Sequence, residues 1–173
     1  MEREQPMNIP ISKTILTKDE YEAIQKPLET GWVVQGPYVK EFERSWSEFT
    51  GAKHSIAVTS CTTALHLSLA ALGLEKEDEV IVPAFTWIST ANVVEHLGAK
   101  VVFCDIDLKT FNISVSQIES KITPKTKAII PVHLFGLSAD MDQINTIAKR
   151  YGLWVVEDAA CGFGSKFNGR HVG

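Results

Sequence analysis

EVIVPAFTWISTANVVEHLGAKVVFC, residues 79–104, is the stretch that decides the fold. Residues 79–82 are an apolar, strand-sized run that ends at Pro83, and residues 101–104 form a second such run. Residues 86–97 between them carry the apolar spacing of a helix. A strand, a crossover helix and a second strand form a parallel pair within one sheet, so this stretch predicts an α/β fold.

The same alternation continues on both sides of this unit. A Ser114 and Gln117 capping box is expected to open a helix that reaches about Ile122, and Gly152 is expected to end another. Five strands alternating with four helices predict a doubly wound, mostly parallel sheet with helices on both faces. The predicted strands, besides the two above, are 56–58, 128–132 and 153–156; the predicted helices are 62–72, 86–97, 114–122 and 140–151.

The two ends of the chain have a different character. Thr17 and Glu20 form a capping box for a helix that ends before Gly31. A second helix follows, with Phe42, Trp46 and Phe49 on one face and Gly51 as its stop. We expect a segment 1–16 and then one domain, 17–173. The glycine-rich tail 162–173 is expected to be a loop. Because the chain stops inside it, the domain is expected to be truncated.

Composition excludes several function classes. The chain has 173 residues and a formal net charge of −4 without a basic block, which argues against a nucleic-acid or anionic-membrane surface. Residues 1–6 lack the apolar core of a signal peptide, Met7 offers a second possible start, and the apolar runs are too short to span a bilayer. The three cysteines are Cys61, Cys104 and Cys161. Their odd number and wide spacing disfavour a disulfide framework or a metal site and fit a reducing cytoplasm.

Three segments follow predicted strands at the edge where open parallel sheets bind ligands. Ser60-Cys61-Thr62-Thr63 opens a helix whose amides and hydroxyls can hold a phosphate, or it can serve only as an N-cap. Trp87 can lie flat against a planar ring, or it can fill the core with Phe85. Asp158 can pair with a protonated pyridine nitrogen, or it can cap the following turn. For the pair Asp105 and Asp107, and for His133, we prefer structural roles.

Taken in order, these segments resemble the DegT/DnrJ/StrS family of sugar aminotransferases. The resemblance extends in family order and spacing from Ile9 almost to the end of the chain. It rests on the stretches GWVVQGPYVKEFE, TSCTTALHL, DEVIVPAFTW, GAKVVFCDID, TKAIIPVHLFG and EDAACGFG. The implied fold is the aspartate-aminotransferase type (fold type I), of which residues 17–173 would be most of the large domain.

The resemblance also implies a pyridoxal 5'-phosphate (PLP) site. By position, Ser60 and Cys61 belong to the phosphate segment, in which Thr62 and Thr63 match the phosphate-binding residues. Trp87 matches the aromatic residue that stacks on the pyridine ring, and Asp158 matches the partner of the ring nitrogen. Cys161 falls near the ring hydroxyl, where many members have Gln or His, and Cys61 stands where Gly is common.

The implied activity is amino transfer from glutamate to a nucleotide-linked keto-sugar, in homodimers, for polysaccharide, glycan or antibiotic-sugar biosynthesis. The family's Schiff-base lysine would lie beyond Gly173, and Lys166 does not match it. The small C-terminal domain would be absent too, so we expect the chain as given to be inactive. The alternatives are a non-catalytic, truncated PLP-fold domain acting in binding or assembly, and a flavodoxin-like nucleotide-binding domain.

Overall fold

The computed structural model describes residue 10 and residues 13–173. The expectations for residues 1–6, for Met7 and for the start of the resemblance at Ile9 lie outside the described residues. The helices are α1 Lys18–Thr30, α2 Pro37–Thr50, α3 Cys61–Ala71, α4 Ser89–His96, α5 Val115–Ile118 and α6 Met141–Tyr151. The strands are β1 Glu79–Pro83, β2 Lys100–Cys104, β3 Thr126–Ile129, β4 Trp154–Val155, β5 Lys166–Phe167 and β6 Arg170–His171.

The main sheet has four strands in the order β2-β1-β3-β4, and every neighbouring pair in it is parallel. The sheet predicted from the residue pattern is therefore confirmed as parallel. Strand β1 is central and is paired along its whole length with β2, from Glu79 with Lys100 to Pro83 with Cys104. An isolated parallel bridge between Val132 and Asp158 continues the β3–β4 pairing to the carboxyl edge of the sheet.

Side chains of β1 alternate between two apolar cores on opposite faces of the sheet. Val80 and Val82 pack with Leu65 and Leu69 of α3 and with Val93 and Val94 of α4. Ile81 packs on the other face, with Ile118 of α5 and with Ile144 and Ile147 of α6. Strand side chains point to alternate faces, so a run buried throughout must be covered on both sides. The predicted helices on both faces are confirmed.

Several helix ends follow the expected local chemistry. Thr17 forms the predicted capping box with Glu20, whose carboxylate accepts from the Thr17 N–H at 2.6 Å. Gly31 and Gly152 end α1 and α6 with φ values of 73° and 68°, which glycine adopts without strain. Helix α4 begins at Ser89 and not at the predicted Thr86, so Trp87 lies in the turn before it.

One predicted strand and one predicted helix cap are wrong. Residues 56–58 form no strand, because no neighbouring strand in the described part of the chain supplies a ladder. The Ala57 N–H donates instead to Glu43 Oε1 of α2, at 2.9 Å. The Ser114 capping box is not formed either. Its hydroxyl contacts that of Ser116 at 3.1 Å, and α5 passes after one turn into a 3-10 turn, Glu119–Lys121.

The tail predicted as a loop contains a two-stranded antiparallel hairpin, β5–β6. Its turn residues, Asn168 and Gly169, have φ values of 48° and 80°. Two successive positive φ values are the signature of the tight hairpin turn that an Asn-Gly pair favours. The Asn-Gly pair at 168–169 is the sequence signal for this hairpin.

No helix in the described part of the chain combines the length and the apolar character needed to cross a membrane.

Candidate functional site

Asp158 lies just past β4, and its backbone is fixed to the end of β3. The Asp158 N–H donates to the Pro131 carbonyl at 2.9 Å, and the Asp158 carbonyl accepts from the His133 N–H at 3.0 Å. These bonds place the side chain at the carboxyl edge of the sheet, as the sequence pattern predicted. The side chain is 4% exposed, so its surroundings decide what the carboxylate can bind.

Three donors surround the Asp158 carboxylate, and none of them is charged. Thr90 Oγ1 donates to Oδ2 at 2.8 Å, while the Ala160 N–H donates to Oδ1 at 3.2 Å. The Cys61 thiol lies 3.8 Å from Oδ1. Among residues 13–173, no Lys, Arg or His forms an ion pair with Asp158. Buried carboxylates normally have a cationic partner, so this side chain fits a ligand that brings a positive charge.

The start of α3 lies beside Asp158, through Cys61. Ser60 is the N-cap, and its hydroxyl accepts from the Thr63 N–H at 3.1 Å. The Thr63 hydroxyl lies 3.0 Å from that of Ser60, so these two side chains are engaged with each other. Thr62 is exposed at the second helical position. The amides of Cys61 and Thr62 have no partner within the helix and are available to an anion at its N-terminus.

Trp87 lies in the turn that joins β1 to α4 and is 77% exposed. Its carbonyl accepts from the Thr90 N–H at 3.1 Å, which links the turn to the residue that contacts Asp158. Phe85 is also exposed and contacts the ring of Phe111, with ring centroids 5.7 Å apart. The core-filling alternative is therefore wrong for both aromatic residues, and the Trp87 ring is accessible at the same edge of the sheet.

The three cysteines are free thiols in two different settings. Cys104 is buried in the core, and burial raises its pKa to about 11. Cys61 and Cys161 are exposed. Partial burial raises the pKa of Cys61, and the Asp158 carboxylate raises it further, so this thiol stays protonated and can donate to the carboxylate.

His133 is fully buried, and both of its ring nitrogens have partners. The Ala139 N–H donates to Nδ1 at 3.2 Å, so the ring proton is on Nε2, which donates to Glu157 Oε2 at 2.8 Å. Burial would raise the pKa of Glu157, but the bonds from His133 and from the Gly173 N–H hold that pKa below its ordinary value. The structural role expected for His133 is confirmed.

The second acidic pair has the structural role expected of it. Asp107 Oδ1 accepts from the Lys109 N–H at 2.8 Å and from the Thr110 N–H at 3.2 Å, which closes a turn. Asp105 Oδ1 accepts from the adjacent Ile106 N–H. In the part of the chain that the structure describes, no group of three or more His, Cys, Asp or Glu side chains could hold a metal ion.

Sequence reasoning missed Thr90. It belongs to α4, is fully buried and donates to a carboxylate 68 positions later in the chain. The only local signal is Thr86, four positions earlier in the turn before α4, whose hydroxyl lies 3.1 Å from that of Thr90. A pair of threonines at this spacing does not identify its partner until the strand order is known.

Comparisons with known proteins agree on one group of enzymes. The model of the DegT/DnrJ/EryC1/StrS aminotransferase family matches residues 14–173. DesV from S. venezuelae, in complex with a ketimine intermediate, is 37% identical with a TM-score of 0.87, over 90% of this chain and 42% of that chain. GDP-4-keto-6-deoxy-D-mannose-3-dehydratase from E. coli, with bound hydrated PLP, is 35% identical with a TM-score of 0.90, and the match covers 96% of this chain and 44% of that chain. An aminotransferase from Psychrobacter cryohalolentis is 37% identical with a TM-score of 0.89, and the match covers 95% of this chain and 42% of that chain. The chain thus spans less than half the length of each.

Proposed function

Because the chain belongs to the DegT/DnrJ/EryC1/StrS aminotransferase family, we propose that it supplies the cofactor-binding part of a PLP-dependent sugar aminotransferase. The predicted aspartate-aminotransferase-type large-domain fold is confirmed by the match to solved structures. Within this proposal, residues 17–173 are the incomplete large domain. The lysine that binds PLP covalently and the small domain are assigned outside residues 1–173.

The observation that carries the proposal is the buried, cation-free carboxylate of Asp158. PLP supplies an electron sink for amino transfer, and protonation of its ring nitrogen strengthens that sink. A carboxylate that already has neutral donors but no cation is the side chain that such a nitrogen needs. The residues present therefore fit PLP, with Asp158 holding the proton at the ring nitrogen.

The remaining site residues take the roles that their positions support. The amides of Cys61 and Thr62, with the Thr62 and Thr63 hydroxyls, bind the phosphate at the start of α3. Ser60 orders that helix start through its bond to the Thr63 N–H. Trp87 covers one face of the ring and excludes water from it. Cys161 lies near the ring hydroxyl.

For the substrates, we propose glutamate as the amino donor and a nucleotide-linked keto-sugar as the acceptor. The support is the family itself and the name of the E. coli relative, which is a dehydratase named for a GDP-linked keto-sugar. The product would enter polysaccharide, glycan or antibiotic-sugar biosynthesis. The same proposal includes a homodimer and a cytoplasmic location. The support for the cytoplasm is that the three cysteines are free thiols.

The alternative is a non-catalytic PLP-fold domain that acts in binding or assembly. The observation that favours it is the location of Lys166, which is exposed in the β5–β6 hairpin and pairs across it with His171. The coding sequence downstream of Gly173 separates the two. An in-frame segment with a lysine after a further strand supports the enzyme, whereas an immediate stop codon supports the non-catalytic domain.

Where the coding sequence continues, Asp158→Ala in the encoded protein is the direct test of function. We expect amino transfer from glutamate to a nucleotide-linked keto-sugar to fall at least about a hundredfold with the fold retained, because the ring nitrogen loses its charged partner. Asp107→Ala is the matched control, since it removes a carboxylate that closes a turn at the same edge. An Asp158→Ala enzyme with near-normal turnover would rule out the role assigned to Asp158.

A further inference from the structure

Two threonine hydroxyls form a chain of hydrogen bonds that ends on the Asp158 carboxylate. Thr90 Oγ1 lies 2.8 Å from Asp158 Oδ2, and Thr86 Oγ1 lies 3.1 Å from Thr90 Oγ1. Thr90 is 0% exposed and Asp158 is 4% exposed, so water does not replace this bond. Both threonines belong to the short stretch that leaves β1 and opens α4.

The direction of the two bonds follows from the number of hydrogens. An ionised carboxylate only accepts, and a hydroxyl has one hydrogen to donate. The hydrogen of Thr90 is therefore directed to Asp158, and the Thr90 oxygen accepts from Thr86. The Thr86 hydroxyl thus fixes the orientation of the Thr90 hydroxyl, which in turn fixes Oδ2.

A count of acceptor sites shows which carboxylate oxygen remains available to a ligand. A carboxylate offers about four lone-pair sites, two on each oxygen. On Oδ1 both are taken, by the Ala160 N–H at 3.2 Å and by the Cys61 thiol at 3.8 Å. Among residues 13–173, only the Thr90 hydroxyl is bound to Oδ2. The one remaining site is on Oδ2, the oxygen that the threonines hold.

We propose that Thr86 and Thr90 are positioning residues that present Oδ2 of Asp158 to the ring nitrogen of the cofactor. This inference rests on the proposed function and deepens it. Trp87 lies between the two threonines in the sequence. The same turn therefore carries the side chain assigned to the ring face and the hydroxyls that aim the carboxylate at the ring nitrogen. A shift of this turn changes both contacts together.

The test uses two ligands that differ only at the ring nitrogen. PLP and 1-deazapyridoxal phosphate, which has a carbon in place of that nitrogen, are titrated into the 173-residue chain, and tryptophan fluorescence gives each dissociation constant. The ratio of the two constants isolates the Asp158 contact, because the phosphate and ring-face contacts are common to both ligands. The variants are Thr90→Val, Thr90→Ser and Thr86→Val.

We expect the wild-type chain to prefer PLP by about tenfold or more, the usual size of a hydrogen bond to a charged group. Thr90→Val keeps the shape and removes the donor, so it should lose most of this preference while binding of the deaza compound changes less than about twofold. Thr90→Ser keeps the hydroxyl and should keep the preference. Thr86→Val should lose part of it, about threefold.

The outcomes separate this inference from the proposed function. A wild-type chain that binds neither ligand, or both equally, would overturn the ring-nitrogen role of Asp158 and with it the proposed function. A wild-type preference that survives unchanged in Thr90→Val or in Thr86→Val would overturn the positioning role of the two threonines alone. If Thr90→Val weakens the binding of both ligands equally, Thr90 has a general structural role, and the positioning role is overturned as well. Circular dichroism checks the fold, and if Thr90→Val does not fold, Thr86→Val decides.

Discussion

At the scale of single residues, the two adjacent carboxylates after β4 have opposite surroundings. Glu157 has the His133 ring and the Gly173 amide as partners, whereas Asp158 has a hydroxyl, a thiol and an amide but, within residues 13–173, no cation. The sequence predicted a carboxylate at this edge because an acidic pair follows an apolar run. It could not identify the partners, because His133 and Thr90 come from other strand–helix connections.

Glu157 should make stability depend on pH. Its pKa in the folded chain is below the ordinary value of about 4.5, so it stabilises the fold above that value, and this contribution is lost as pH falls through the folded pKa. Glu157→Gln should therefore be less stable near neutral pH and should lose less stability than wild type between about pH 5 and pH 3. Urea unfolding at a series of pH values measures both effects.

Glu48→Gln is the control for this experiment, since Glu48 pairs with Arg44 on an exposed helix face, where ion pairs contribute little. It should leave both the stability and its pH dependence close to wild type. If Glu157→Gln loses stability in acid as steeply as wild type does, Glu157 does not carry this dependence.

Lys166 should not bind PLP covalently in the 173-residue chain. It is exposed in the β5–β6 hairpin, away from the desolvated setting in which lysines form stable Schiff bases. The chain is incubated with PLP, freed of excess and treated with borohydride, and mass spectrometry then searches for a reduced lysine adduct. A stoichiometric adduct at Lys166 would contradict this prediction, whereas trace labelling spread over several exposed lysines would agree with it.

At the scale of elements, the pattern of apolar residues was sufficient to predict a strand wherever the described part of the chain supplies a neighbouring strand to pair with it. The continuous apolar runs at β1 and β3 predicted buried parallel strands, because such strands are covered on both faces. Residues 56–58 have the same apolar character but form no ladder, since pairing depends on a neighbour that residue pattern does not supply. The helix predicted from Ser114 is present as α5 and the 3-10 turn that follows it, but Ser114 bonds to a side chain and leaves the first amides uncapped.

Helix α3 offers a pair of variants that separate capping from ligand binding. Ser60→Ala should lower the free energy of unfolding by about 1 kcal/mol, because it removes the bond to the Thr63 N–H. Thr62→Ala should change the free energy of unfolding by less than about 0.5 kcal/mol, since Thr62 is exposed. It should change the free energy of PLP binding by more than this. Urea unfolding and PLP titration are measured on both. Equal stabilities of the two variants would show that Ser60 does not cap α3.

At the scale of the whole molecule, burial is uneven along the chain. Neither α1 nor α2 has a buried residue, whereas both apolar cores are built from Leu65 onward. The N-terminal helices and their connection expose large apolar side chains, among them Ile24, Leu28, Trp32, Val33, Val34 and Phe42. Apolar patches of this kind on a protein surface are usually sites of association.

We therefore expect the 173-residue chain to form dimers or larger species. Introducing charge on the exposed face with Leu28→Lys and Val34→Lys should shift the population toward monomer, because both residues are more than half exposed in the isolated chain. Lys109→Glu, a change in the turn that Asp107 closes, is the control and should not affect association. Light scattering over a wide concentration range gives the mass, and a stable wild-type monomer throughout would contradict the expectation.

The strand order β2-β1-β3-β4 also has a consequence for the time course of folding. The strand synthesised first, β1, lies inside the sheet, and both of its neighbours follow it in the chain. Its pairing with β2 closes the shortest loop and is expected first, while the more distant pairing of β3 with β4 comes later. Asp158 follows β4, so the carboxylate reaches Thr90 only when the last strand of this sheet has joined. If Asp158 holds the cofactor as proposed, affinity for PLP is acquired only at that step, and the ligand cannot guide the nascent chain before it.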